Sequence, residues 1–271
     1  MEQLSIIIPH YNTPKLLMRL LDTIPNLPEI EVLVIDDSSD KDLDIYKYCM
    51  EKYGERNIKF YTNPLKTKGA GNARNVGLKC AIGKWLLFAD ADDYFIDGFW
   101  NIIQGYLEEE ADIIFFETTS IILRTGEISD RHEYYTNLVE EYCQKNDHKE
   151  EILLRYQYWS PCAKLIRREL INLYQIQYEG TLYSNDILFS AKAGYYAKSI
   201  KAVRKVIYCI TQSEKSLTSK KDSNALSIRK KAFCNYYFFL LFHISRGDMH
   251  ELGFGIKDFI YYCLYKTGLI R

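Results

Sequence analysis

The chain has 271 residues, enough for one large α/β domain or a domain of about 200 residues with an appendage. Its 35 Lys and Arg against 36 Asp and Glu leave a net charge of -1, which offers no general attraction to polyanions and disfavours a nucleic-acid partner. The 7 cysteines (Cys49, Cys80, Cys143, Cys162, Cys209, Cys234, Cys263) are scattered without a Cys-x-x-Cys pair, which argues against zinc or a redox centre and fits a reducing cytoplasm.

Met1-Glu2-Gln3-Leu4 leads into a strand-like run with neither a basic n-region nor a long apolar h-region, so no export signal is expected. Leu4 to Ile8 is a compact apolar run ended by Pro9, the pattern of a strand buried on both faces. Pro14 suits a first helical turn, and Leu16, Leu17, Leu20, Leu21 and Ile24 make one apolar face. Val32 to Ile35 repeats the buried-strand pattern and stops at Asp36-Asp37-Ser38-Ser39. A helix over Asp42 to Lys52, a strand over Ile58 to Tyr61, a helix over Gly69 to Ala81 and a strand over Trp85 to Ala89 follow.

This alternation predicts a doubly wound, mostly parallel sheet with helices on both faces, whose ligands bind beyond the carboxyl ends of the strands. After about residue 118 the alternation weakens. Ile121 to Arg124 and Glu127 to Ser129 read as short antiparallel pieces, Ser184 to Ala197 as a helix, and the chain from Ala225 as helical. The longest apolar stretch, Tyr236 to Phe242, falls well short of the roughly 20 residues of a spanning helix.

Three polar clusters fall at the strand ends. Asp90-Ala91-Asp92-Asp93 sets three carboxylates beside one another directly after a core strand, and that repulsion calls for water or a cation; hard carboxylate oxygens suit Mg²⁺ or Mn²⁺ bridging to phosphate. Alone, such a string equally reads as a solvated loop or a helix cap. Asp36-Asp37 offers acceptors for a base or ribose, or an ordinary Asx turn. Lys68 to Asn75 is a small-residue loop entering a helix, where backbone N–H groups and Arg74 could face a diphosphate, or simply a turn.

In order along the chain, Ser5 to Asn12, Val34 to Ser39, Gly71 to Asn75, Phe88 to Asp93 and Asn185-Asp186 resemble the motifs of the family 2 glycosyltransferases, inverting enzymes of the GT-A fold. The first four segments cover residues 4 to about 100, and the fit thins beyond them. The resemblance implies a GT-A type sheet of Rossmann-like topology with a smaller antiparallel element and a C-terminal helical extension. It divides the chain into a glycosyltransferase domain over 1–220, with a nucleotide-binding half over 1–118 and an acceptor half over 119–220, and a helical extension over 221–271.

Residue by residue, it implies that Pro9, Tyr11 and Asn12 line the nucleotide pocket and that Asp37 reads the uracil. Arg74 would lie near the phosphates, Asp90 would contact the ribose or sugar with Ala91 beside it, and Asp92 would hold Mn²⁺ or Mg²⁺ with Asp93 in support. Asp186 is the expected base, with Glu179 as the fallback. The family usually has an acid where this chain has Asn185, which can orient a hydroxyl but cannot take a proton. The competing reading of Asp186 is a helix N-cap.

Trp159 to Leu165 also resembles a family segment, with Lys164 in its Lys-Leu pair, and Trp159 is expected either to stack on an acceptor sugar or to belong to the core. The loop Ser213 to Thr218, after a last strand over Val206 to Ile210, would close over the donor phosphates. Processive members carry a Gln-x-x-Arg-Trp motif and membrane helices, and this chain shows neither, so transfer of a single sugar is expected.

The expected activity is transfer from a nucleoside-diphosphate sugar, a UDP-sugar, to a glycan or lipid-linked acceptor in cell-surface polysaccharide synthesis. The alternative is a non-catalytic sugar-nucleotide-binding or scaffolding subunit of the same fold. A nucleotidyltransferase would want a Gly- and Lys-rich loop where Pro9 to Pro14 stands. The expected location is the cytoplasm or the inner face of the plasma membrane. Arg229, Lys230 and Lys231 beside the aromatic block either meet an anionic surface, in peripheral membrane contact, or leave the aromatics to pack on the domain or on a second copy in a homodimer.

Overall fold

The computed structural model describes residues 2–65, 67–213 and 222–266. The first half runs β1 (Leu4–His10), α1 (Pro14–Thr23), β2 (Ile30–Asp36), α2 (Leu43–Tyr53), β3 (Ile58–Thr62), α3 (Ala70–Cys80) and β4 (Trp85–Phe88). The second runs β5 (Tyr94–Phe95), α4 (Phe99–Ile103), β6 (Ile113–Ile122), α5 (Glu133–Lys145), α6 (His148–Gln157), β7 (Lys164–Arg167), α7 (Arg168–Leu173), α8 (Ile187–Tyr196) and β8 (Ile200–Gln212). Helices α9 (Ser223–His243), α10 (Arg246–Glu251) and α11 (Ile256–Lys266) follow.

The eight strands form one sheet in the order β3-β2-β1-β4-β7-β6-β8-β5. Strands β1 to β4 pair in parallel, β7 lies antiparallel between β4 and β6, and β5 lies antiparallel on β8. Every residue of β1 and β2 is buried because helices cover both faces. Leu4, Ile6, Ile8, Val32 and Val34 meet Leu17, Leu20 and Leu21 of α1 on one side, while Ile7, Leu33 and Ile35 meet Ala73 of α3 on the other.

The long strand β6 and the helices α5 and α6 are absent from the sequence reading. Ile121 to Arg124 begins as the end of β6, which then turns at Gly126 so that Ile128 pairs antiparallel with Ile121. α5 buries only Val139, so its apolar stripe is too thin to show as a period in the sequence.

The aromatic block of α9 packs on the domain. Tyr236, Tyr237 and Leu240 are buried with Ile152 and Tyr156 of α6 and Ile187 and Ala191 of α8. Among the described residues no helix is long and apolar enough to cross a membrane.

Helix α3 lies so close to the sheet that a Cβ on Gly77 would collide with Ile7 and come within 3.0 Å of Ile35 Cδ1. Gly77→Val is expected to cost about 1–3 kcal/mol of stability through overpacking, read as a lower urea midpoint at unchanged slope.

Candidate active site

The chain leaves β1 towards β2 and β3 on one side and returns through α3 to β4 on the other, so the ends of β1 and β4 flank a topological switch point. At the end of β1, His10 is buried against the Tyr46 ring at 4.7 Å, with Nδ1 2.9 Å from Asp36 Oδ1 and Nε2 3.3 Å from the Thr13 N–H. These partners assign the proton to Nδ1. Burial would raise the Asp36 carboxyl, but hydrogen bonds from His10 and Ser39 outweigh it and hold it below the usual range. Asn12, at φ 56°, accepts from the Asp40 and Lys41 N–H groups and donates to Asp40 Oδ1 at 2.7 Å, tying the β1 and β2 loops together. Tyr11 stays 45% exposed with Lys68 Nζ 4.7 Å from its ring, leaving a face open to a flat ligand.

Asp37 is buried: Oδ1 accepts from the Asn63 amide at 2.7 Å and Oδ2 from Gly69 N–H at 2.6 Å. It therefore fastens the loop that begins α3. Gly69, at φ 141°, makes the turn in a region that L side chains rarely adopt. Gly71 lets the segment carrying Asn185 come close, since a Cβ there would lie 2.9 Å from Asn185 Cβ and collide with the Glu179 carbonyl. The small residues of this loop thus admit protein backbone.

Arg74 sits at the centre, 4% exposed. Its Nη2 donates to Asp90 Oδ1 at 2.5 Å, its Nη1 donates to Asn185 Oδ1 at 3.0 Å, and its guanidinium lies 5.3 Å from the centre of the Tyr178 ring. Burial opposes its charge, but Asp90 together with Tyr178, Cys162 and Asp186 outweighs burial and the guanidinium stays charged. At the next residue, the Asn75 amide exchanges two hydrogen bonds with the Tyr178 backbone, at 2.9 and 2.8 Å. Three of the predicted residues, Arg74, Asp90 and Asn185, therefore meet.

Asp186 stands at the N-cap position of α8, but its side chain makes no capping bond. Burial raises its carboxyl above the ordinary range and Asp90 adds to this, while Arg74 and Lys164 pull the other way.

The acidic loop divides its carboxylates. Asp90 pairs with Arg74 and keeps its side chain 39% exposed. Asp93 is buried and accepts from Thr211 N–H at 2.7 Å and Thr211 Oγ1 at 3.1 Å, a clamp onto β8. Asp92 is held by its backbone, whose carbonyl accepts from Arg19 at 2.5 Å and from the Thr211 hydroxyl. Burial and Asp90 raise the Asp92 carboxyl, against Arg131 and Arg19. Two mutually repelling carboxylates at the cleft, one without a salt-bridge partner among the described residues, suit a divalent ion. Among the described residues no three acidic, His or Cys side chains gather as a complete cage, so an ion at Asp92 would draw other ligands from phosphate and water.

The description Glycosyl transferase family 2 matches residues 5–174. The chain belongs to that family. The poly(ribitol-phosphate) beta-N-acetylglucosaminyltransferase TarS of Staphylococcus aureus (strain Mu50) is 40% identical over 100 residues, which is 35% of this chain and 17% of that protein, so the match spans under a fifth of that relative. The crystal structure of S. aureus TarS 1–349 with UDP-GlcNAc superimposes with a TM-score of 0.69 at 24% identity, covering 92% of this chain and 69% of that one. A mannosyltransferase from Pyrobaculum calidifontis in complex with GDP-Man and Mn²⁺ aligns with a TM-score of 0.60 at 14% identity, covering 91% of this chain and 66% of that one. These likenesses establish the GT-A fold.

Within this family 2 site, several contributors went unseen in the sequence. Tyr208 accepts from the Asp90 N–H at 2.8 Å, and Thr211, Arg19 and Asn63 fix the acidic loop and Asp37. Only His10, beside Tyr11, had a signal, as a polar residue closing a buried strand. Trp159 donates its indole N–H to the Tyr156 carbonyl at 2.7 Å and packs edge-on against Phe233 and Tyr236, so it joins α6 to α9. Glu179 accepts from Asn235 at 2.6 Å, and burial raises its carboxyl. Of the loop Ser213 to Thr218, only Ser213 lies among the described residues.

Lys164 is buried, with Nζ donating to the Tyr158 carbonyl at 2.9 Å and Ser190 Oγ at 3.1 Å; burial pushes its ammonium down to about 7 against the pull of Asp186. The unfolded chain then binds more protons between pH about 7 and the usual 10.5, so the penalty is full below 7 and fades as pH rises. It is on the order of 4 kcal/mol at neutral pH. Wild type is therefore expected to gain stability relative to Lys164→Met from pH 7 to pH 10, measured by urea unfolding. Parallel profiles for the two proteins would mean that this lysine titrates normally.

Proposed function

We propose that this chain is an inverting, metal-dependent glycosyltransferase that moves one sugar from a UDP-sugar to a hydroxyl of a glycan or lipid-linked acceptor in cell-surface polysaccharide synthesis, acting in the cytoplasm or at the inner face of the membrane. The reading rests on one observation: Arg74 joins Asp90 of the acidic loop to Asn185, the neighbour of Asp186, whose side chain makes no capping bond. The name of the related TarS, an N-acetylglucosaminyltransferase acting on poly(ribitol phosphate), supports a wall-polymer acceptor, and the UDP-GlcNAc in its structure supports a UDP-linked donor.

In this scheme Pro9, Tyr11 and Asn12 frame the uracil, and Asp37, whose oxygens each keep a spare lone pair, accepts from its N–H. Asp90 and the Ala91 backbone meet the ribose and sugar, with Asp93 holding the loop. Asp92 would hold Mn²⁺ or Mg²⁺, which when bound neutralises charge on the departing diphosphate. Arg74 supplies fixed positive charge beside Asp90. Asp186 accepts the proton of the acceptor hydroxyl, whose oxygen attacks the anomeric carbon opposite the leaving group in one displacement. Asn185 orients the incoming sugar, and Lys164 and Trp159 support that side. The segments 1–118 and 119–220 then serve donor and acceptor, with 221–271 as a helical extension.

Manganese-dependent hydrolysis, screened across nucleotide sugars, names the donor without the acceptor. With that donor, Asp186→Asn is expected to lower turnover about 10²- to 10⁴-fold at unchanged donor affinity by calorimetry. Undiminished turnover would remove Asp186 from the chemistry, and donor binding without turnover in the wild type would favour a binding subunit. Asp92→Ala is expected to raise the Mn²⁺ concentration for half-maximal rate about tenfold or more. A metal titration giving one curve for both proteins would exclude Asp92 as the ligand.

A further inference from the structure

A groove of about 260 Å³ opens between α9 and α11, lined by Arg229, Lys230, Phe233, Tyr261, Tyr262 and Tyr265. Its walls are four aromatic rings and two cations, and among the described residues none that lines it is acidic. Side chains of α9 reach from the groove towards the candidate active site. Arg229 lies 5.1 Å from the centre of the Tyr183 ring, three residues before Asp186. Phe233 packs edge-on against Trp159, and Asn235, on the same helix, holds Glu179. Lys231 and Lys192 both act on Glu179, so positive charge extends from the groove towards the lip of the cleft.

We propose that this groove is an acceptor subsite for a phosphate-bearing polyol or glycan chain. This rests on the glycosyl-transfer reading above and names its acceptor class. Aromatic faces suit the C–H faces of a hydroxylated chain, while a guanidinium and an ammonium suit a phosphodiester. The volume is below the roughly 300–1,000 Å³ of sites that engulf a whole drug-sized ligand, so the groove accommodates one unit of a longer chain. The chain would run from the groove past Tyr183 to Asp186. A bilayer is the less suitable occupant of a concave site, and the more apolar exposed residues of α11, Ile256 and Ile260, are not among those lining the groove.

The test is calorimetric titration of the full chain with a defined glycerol-phosphate oligomer, beside an uncharged dextran oligomer of equal length. The phosphate oligomer is expected to bind, less tightly as salt rises, and about tenfold or more weakly to the Arg229→Gln/Lys230→Gln double variant and to Tyr261→Ala. UDP titration of each variant reports that its donor site is folded. Equal binding of dextran, or variants that bind the phosphate oligomer like wild type, would overturn the proposal. So would phosphatidylglycerol vesicles that bind through these residues while the oligomer does not. A wild type that binds the oligomer in the groove but no nucleotide sugar would sink the glycosyl-transfer reading and leave the groove as an anionic-polymer site.

Discussion

A buried guanidinium has to be answered by acceptors, and the site is organised around how Arg74 is answered. Asp90 reaches it from the loop after β4 and Asn185 from the segment before α8. These partners lie 16 and 111 residues away in sequence, so one side chain closes the parallel half of the sheet onto the segment that carries Asp186. Removing either partner would leave an unbalanced polar group in a poorly solvated place, which is strongly unfavourable. The neighbours of Arg74 serve the same closure. Gly71 permits the approach, Asn75 pairs with the Tyr178 backbone, and the Tyr178 ring lies against both the guanidinium and Phe189.

That closure explains the unequal treatment of three adjacent carboxylates. Asp93 is committed to Thr211 on β8 and Asp90 to Arg74, whereas the Asp92 backbone is fixed by Arg19 and Thr211 and its carboxylate is left to the cleft. Holding a loop by its main chain frees a side chain for a ligand while keeping its position. Lys164 adds a second buried charge that interacts with Asp186, so this part of the molecule carries two titratable groups whose burial pushes both towards neutral.

Substantial parts of this were legible beforehand. β1, β2 and β4 declare themselves as apolar runs ended by Pro, Asp or Ser, and parallel strands covered on both faces require such runs. The acidic string, Asp37, Arg74 and the Asn185-Asp186 pair stood out because charged and polar residues beside core strands need a reason. β8 and helices such as α5 were less legible, since a partly buried strand and a helix with one buried residue leave weak periods. Thr211, Tyr208, Arg19 and Asn63 carried no signal, because an ordinary polar residue becomes a site residue only through what the fold sets beside it. The glycines near Arg74 read as a diphosphate-facing loop or a turn, and their close approach to the backbone of Glu179 and Thr181 is visible only in the packing.

The sequence by itself determined the doubly wound half, the strand ends at which the polar clusters fall, and the residue types available there, because local apolar pattern and chain punctuation suffice for those. Tertiary structure decided which carboxylate is free, which arginine holds the halves together and where the C-terminal aromatics go. Those outcomes depend on contacts between residues far apart in the chain, and no local pattern encodes the partner of a buried charge.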